Sequence, residues 1–263
     1  MCRHEDRVYQ LWDELADFSP AQSVEALKHC MRTICDWIDA QNSFWAGTVR
    51  MVHGEMAEKD PVAGWRIGAA EVLNPECTSP ERMKRAVKVL HTSSPSADAL
   101  GVLAGAGQFR VHSLGTGLVK DLSAFKKTEY YDFFYSQRDI HDRIWVLFPV
   151  NADTETVFFF DSYQVGRCFT RNDLYLAGEA LRGIKWFHRQ QLLSRGLGVS
   201  NTPLSASERR VLPELLSGDT EKVIAERMGL THATVHQYTT AVYRKFGVRG
   251  RTEFMALWLN GRL

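Results

Sequence analysis

The residues with the clearest chemistry lie near the carboxyl end. From Thr231 to Gly250 the sequence reads THATVHQYTTAVYRKFGVRG and contains no Asp or Glu. On a helical wheel Val235, Tyr238, Thr239, Val242 and Phe246 fall on one side. Ala233, His236, Gln237, Thr240 and Arg244 fall on the other. Imidazole, amide and hydroxyl groups near the start of a helix can meet the donors and acceptors on base edges. Cations nearer its end can meet phosphate. A face that is only solvated is expected to carry some acids. The pattern therefore fits a helix laid in the major groove of double-stranded DNA.

Other constellations are weaker. His53, Glu55, Glu58 and Asp60 follow a strand-like run but lack the helical two-histidine frame of a zinc site. They read as a solvated loop. His141-Asp142-Arg143 has no Ser or Cys in a nucleophile-elbow setting and reads as a strand-edge turn. Gly101, Gly105, Gly107, Gly115 and Gly117 do not form GxGxxG and read as turns. Cys2, Cys30, Cys35, Cys77 and Cys168 are an odd set without CxxC. They read as reduced thiols, neither bridged nor binding zinc. No catalytic residue, cofactor or metal site is expected, and the chain is not read as an enzyme.

The elements that must position these residues fall into two parts. Val8, Leu11, Trp12 and Leu15 predict an opening helix, and Val24, Leu27, Met31, Ile34, Cys35 and Ile38 a second. Phe44 to Val52 and Trp65 to Leu73 read as strands, 81–90 as a helix, and Phe109 to Leu114 as a short strand. Leu122 to Phe134 reads as an aromatic-rich helix. Arg143 to Val150 and Thr156 to Tyr163 read as strands joined at Asn151-Ala-Asp-Thr154. Thr170 and Asp173 form a capping box ahead of a helix predicted to run to Leu193. Ser194 to Pro203, with two Gly, two Ser and a Pro, reads as a linker. The expected division is 1–195, a linker at 196–203, and 204–263.

Composition is that of an ordinary globular chain: 263 residues, 44% hydrophobic and 24% charged. Thirty-two Lys and Arg against 31 Asp and Glu give a net charge of +1, so no global field recruits polyanions. The charge is uneven. Residues 201–263 carry nine bases and six acids, 9 − 6 = +3, which leaves 1 − 3 = −2 for the rest. No apolar run approaches the roughly 18 residues of a membrane span, and the amino end lacks the apolar stretch of a signal peptide. The expectation is a cytoplasmic protein with no membrane partner.

The tail carries three motifs in series. Leu204-Ser-Ala-Ser-Glu208 is a capping box before a helix that ends near Gly218. A helix from Thr220 ends at Gly229, and Thr231 caps the next. Helix, tight turn and helix is a helix-turn-helix. The runs LSASERRVLPELLSG, EKVIAERMGLTHATV and YRKFGVRGR resemble the LuxR/GerE-type helix-turn-helix without a gap. The resemblance implies an all-α four-helix domain that binds DNA as a homodimer, its third helix in the major groove. Carried over, base reading falls on His236, Gln237 and Thr240, and phosphate contact on Thr231, Thr234, Arg244, Lys245 and Arg251. The fourth helix, about Arg251 to Leu259, would supply the dimer contact. Phe254, Leu257 and Trp258 would face the core, leaving Met255 and Leu259 for a partner. Pro213 departs from the pattern and predicts a kink in the first helix. His, Gln and Thr stand where the family often has Lys, which predicts a shallow salt dependence.

The order of elements in residues 1–195 resembles GAF/PAS-like sensor domains. This implies an α+β fold with a central, mostly antiparallel sheet. Trp45, Trp65, Tyr130, Tyr131, Phe134 and Trp145 are the candidate lining of a pocket for an unidentified small molecule. The resemblance gives a signal-responsive transcriptional regulator. In its mechanism the long last helix, Arg171–Leu193, passes the sensor's state to the linker. The alternative is a ligand-binding or enzymatic domain with the DNA-binding tail as accessory.

Overall fold

Runs of β-branched and aromatic residues mark the strands. The structure, a computed structural model, describes residues 2–60, 62–75, 81, 85, 103, 105–116, 118–198 and 204–259. In it β1 (Asn42–Arg50), β2 (Trp65–Val72), β3 (Arg110–Ser113), β4 (Asp142–Asn151) and β5 (Thr154–Ser162) form one antiparallel sheet, ordered β2-β1-β5-β4-β3. Each strand lies close to where its sequence places it, and so do the two opening helices, α1 (Cys2–Ala16) and α2 (Ser23–Ile38); a short α3 (Glu55–Glu58) follows β1. The helix expected over 81–90 lies outside the described residues except for Glu81 and Arg85. Residues 199–203 of the expected linker lie outside them as well.

The described chain divides into two compact units. The first comprises Met1–Val8 and Cys30–Gly183 and holds the sheet. On one sheet face Ala46, Trp145, Leu147 and Val157 pack with Phe125, Phe134 and Tyr135. The last three come from α4 (Leu122–Phe125) and α5 (Glu129–Phe134), and from Tyr135 just after α5. The sequence predicts one helix over 122–134, but the structure has two. Asp121 caps the first, and the Thr128 hydroxyl accepts from Tyr131 N at 3.1 Å and starts the second. A polar cap between two aromatic stretches wins locally by satisfying a free helix-end donor.

The other sheet face is buried as well. It presents Trp45, Val146, Phe158 and Phe160, each essentially inaccessible. Helix α6 (Arg171–Arg182) packs along β3 and β4, with Gly178 so close that an added Cβ would lie 3.0 Å from Val111 Cγ2. The predicted capping box is present: Thr170 N donates to Asp173 Oδ2 at 2.8 Å, and Asp173 N to Thr170 Oγ1 at 3.2 Å. The helix does not run to Leu193, however. It stops at Gly183, and a separate α7 (Lys185–Leu193) follows. Ile184, at φ −109° and ψ 51°, leaves the helical region, next to a glycine that disfavours helix by about 1 kcal/mol. An unbroken apolar stripe masks such a break, because Leu181, Ile184 and His188 are buried on both sides of it.

The second unit comprises Tyr9–His29 and Ile184–Leu263. Its core joins Leu193 and Leu204 to Val211, Leu215, Ile224, Val235, Val242, Phe246 and Phe254. Apart from Leu204, just before α8, these come from α7 and from α8 (Ala206–Leu216), α9 (Glu221–Met228), α10 (His232–Phe246) and α11 (Arg251–Leu259). Thus α7 packs with the tail, and the break at Gly183–Ile184 coincides with the boundary between the units. The chain between α7 and α8 is pinned at Gly196, where φ is +73° and a Cβ would meet Leu204 Cγ at 2.6 Å. Helix α8 continues through Pro213 to Leu216.

Candidate nucleic-acid interface

Helix capping sets where α10 begins and how α9 meets it. Thr220 caps α9, accepting from Val223 N. Gly229 closes α9 in the left-handed conformation, φ +65°, and Leu230 N donates to Ala225 O at 2.9 Å. That pattern satisfies carbonyls the helix end leaves free. Two residues later the Thr231 hydroxyl accepts from Thr234 N at 3.1 Å and lies 2.8 Å from Thr234 Oγ1. At the far end Gly247, φ +66°, closes α10.

Between these caps the expected two-sided helix is present. Val235, Thr239, Val242 and Phe246 are buried, and Thr239 fits that apolar side by returning its hydroxyl to Val235 O at 2.9 Å. His236, Gln237, Thr240 and Arg244 are exposed together on the opposite side, with Thr231 at the helix start. Thr234 is half-buried.

Lys245 and Arg251 are placed differently. Lys245 Nζ lies 2.6 Å from Glu208 Oε2, with both side chains largely buried. Glu208 also accepts from Ser205 N at 2.6 Å as part of the predicted capping box. Burial pushes the Glu208 carboxyl up, but the bonds from Lys245 and Ser205 outweigh it and hold the group below its ordinary range. The Arg251 guanidinium reaches Leu215 O at 2.7 Å (Nη2) and 3.0 Å (Nε), and also Asp219 O. It closes the carboxyl end of α8, where carbonyls lack partners and a cation is favoured. In the same way Arg189 of α7 donates to the carbonyls of Leu257 and Trp258 at the end of α11. Phe254 is fully buried, Met255, Leu257 and Trp258 pack partly against the core, and Leu259 is 84% exposed.

One group at this face belongs to another helix. Glu221, in the first turn of α9, brings Oε2 to 3.0 Å from His236 Nδ1 and 3.7 Å from His232 Nε2. The absence of acids from Thr231 to Gly250 therefore does not make the surface acid-free. A wheel drawn for one helix cannot show a neighbour's side chain.

Of the six candidate pocket aromatics, Tyr130, Tyr131, Phe134 and Trp145 share one cluster on the sheet. Trp45 lies on the opposite sheet face from its neighbours Phe44 and Ala46. Trp65 is buried under the Arg50 guanidinium, 4.9 Å from the ring centroid. Beneath the cluster lies a pair the sequence reading missed. Arg143 of β4 and Asp161 of β5 face each other across the ladder. Nε lies 2.5 Å from Oδ1 and Nη2 2.9 Å from Oδ2. The guanidinium stands 5.1 Å from the Tyr135 ring centroid and 5.4 Å from that of Phe159. The usable signal was a charged residue at an inward strand position, directly opposite its counter-ion.

The other polar clusters serve structure. Asp60 is not solvated: it accepts from Val62 N, Gly64 N and Arg66, which holds its carboxyl well below the usual range. Burial raises the Asp142 carboxyl, while Gly115 N, Arg143 N and Phe169 N donate to it. Cys30 and Cys35 are buried free thiols, both pushed up by burial. Among the described residues no group of three or more His, Cys, Asp or Glu is arranged to hold a metal ion, and no helix is long and apolar enough to cross a membrane.

Residues 202–257 match the family of bacterial regulatory proteins of the luxR type, GerE. A probable HTH-type transcriptional regulator, GfsR of Streptomyces halstedii, is 39% identical over 57 residues. That is 22% of this chain, and the match spans about a quarter (24%) of the relative's length. Among solved structures, Escherichia coli SdiA matches with a TM-score of 0.44 at 12% identity, over 95% of this chain and 94% of its own. The VqsR LBD domain from Pseudomonas aeruginosa matches with a TM-score of 0.40 at 13% identity, over 68% of this chain and 96% of its own.

Proposed function

We propose that this chain is a cytoplasmic, sequence-specific transcriptional regulator that binds double-stranded DNA as a homodimer, with α10 in the major groove. The observation that carries the reading is α10 itself. One side is locked into the core by Val235, Val242 and Phe246, and the other exposes His236, Gln237, Thr240 and Arg244 at its surface. The match of residues 202–257 to the luxR-type family supports it. In this reading His236, Gln237 and Thr240 read base edges, and Thr231, Thr234 and Arg244 contact phosphate. Lys245 and Arg251 act on phosphate through their charge, from positions fixed inside the domain.

The domain arrangement belongs to the same reading: a GAF/PAS-like sensor or dimerisation domain over 1–195, a linker at 196–203, and the DNA-binding domain from 204 to 263. Tyr130, Tyr131, Phe134 and Trp145, above the Arg143–Asp161 pair, are the part of the sensor suited to a small molecule. Such a site offers aromatic faces beside a buried ion pair, which suits a largely apolar ligand. The sensor's state sets the spacing of two tail domains across paired half-sites.

Enrichment of duplexes by the full chain from a randomised library tests the reading. The expected result is a two-fold motif of two half-sites, whose base preference is relaxed in Gln237→Ala. A library that stays random, or a Gln237→Ala protein that selects the same motif equally sharply, contradicts it.

A further inference from the structure

His236 and His232 stand one turn apart on α10, their rings nearly parallel, with centroids 6.4 Å apart and planes at 10°. Both are exposed, and both face one carboxylate, that of Glu221 on α9. The Glu221 charge also reaches Tyr243 on the same helix, where Arg251 of α11 opposes it. Glu221 and His232 are the titratable groups set directly against the His236 ring.

An ionised carboxylate can only accept a hydrogen bond. At 3.0 Å from Glu221 Oε2, Nδ1 of His236 must therefore carry the hydrogen. In the neutral ring this leaves Nε2 with a lone pair, so the outer edge of the ring is an acceptor. On base edges in the major groove an acceptor suits the amino group of cytosine (N4) or adenine (N6). When the ring takes a second proton, Nε2 becomes a donor, which suits O6 or N7 of guanine. An imidazole changes charge between about pH 5 and 8.

We infer that Glu221 makes His236 a pH-dependent base reader, one that selects an amino-bearing base when neutral and guanine when protonated. This rests on the reading that α10 enters the major groove. Glu221 is the positioning residue: it touches no base and acts by fixing which nitrogen of His236 is free.

The test is selection from a randomised duplex library by the full-length protein at about pH 8 and about pH 6. Wild type, Glu221→Gln and His236→Gln are compared. In the wild-type motif one position and its symmetry mate favour cytosine or adenine at the higher pH. Preference there moves toward guanine at the lower pH by about five- to tenfold. Glu221→Gln reads that position weakly at both pH values, because an amide can donate or accept, and keeps the rest of the motif, which shows that the domain is intact. His236→Gln selects the same base there at either pH. A wild-type motif identical at both pH values, or one unchanged by Glu221→Gln, overturns the inference and leaves the DNA-binding reading standing. A library that never enriches overturns both.

Discussion

At the scale of single residues, the cations of the tail fall into two kinds. Arg244 is exposed at the surface, whereas Arg251 is held inside the domain by the carbonyls of Leu215 and Asp219. Arg244→Ala should leave thermal stability unchanged and reduce the salt slope of DNA binding by about 0.9, one phosphate's share. Arg251→Ala should lower the stability of the tail by about 1–3 kcal/mol, since it strands helix-end carbonyls. Denaturation and salt-titrated binding of both variants separate the two roles. Glu208 gives a pH dependence with a definite sign. Its carboxyl is held below its ordinary range, so its contribution is present above that range and lost as pH falls through it. Melting curves of the tail should show stability falling on the acid side, and Glu208→Gln should flatten that limb while lowering the neutral-pH melting temperature. In the first unit, Asp161→Asn leaves Arg143 buried without its counter-ion and should cost about 3–5 kcal/mol. Removing both charges, as in Arg143→Met with Asp161→Leu, should cost less than the single change. Equal losses would mean the pair is not coupled as its geometry states.

At the scale of elements, the sequence was most legible where a local rule had no competitor. Runs of β-branched and aromatic residues located the strands, and the capping boxes at Thr170–Asp173 and Ser205–Glu208 placed two helix starts. The buried stripe of α10 followed from its wheel. Legibility failed where two rules overlapped. The cap at Thr128 splits an aromatic-rich segment, and the turn at Gly183–Ile184 interrupts an apolar stripe whose Leu181, Ile184 and His188 are all buried. That break changes the proposed coupling: α6 and α7 are two helices in two units, so no single rigid rod runs from Arg171 to Leu193. Contacts between distant helices were not legible at all. Glu221 against His236, Arg189 against the end of α11 and Arg251 against the end of α8 depend on tertiary packing that no window of sequence contains. Gly196 offers a direct test of local geometry. Its positive φ and the 2.6 Å approach to Leu204 leave no room for a methyl group. Gly196→Ala should destabilise the unit by about 1–3 kcal/mol, measured by denaturant unfolding. A neutral result would show that the turn between α7 and α8 relaxes freely.

At the scale of the whole molecule, a net charge of +1 conceals a tail of +3 and a remainder of −2. On the proposed reading, attraction to DNA is local to the tail, and specificity comes from the exposed groups of α10 more than from a long-range field. If the first 195 residues set the spacing of two tails, the length of the connecting segment matters. Inserting residues between Gly196 and Thr202 should weaken binding to a paired half-site and leave binding to a single half-site little changed. Equal binding to both would remove the coupling from the mechanism. The most direct test of the central claim is the affinity of the full chain for its best selected duplex relative to a scrambled duplex, at one fixed salt concentration. A ratio of about 10³ or more is expected, falling by about tenfold or more in Gln237→Ala. A ratio near unity for the wild-type chain would contradict sequence-specific DNA recognition by α10.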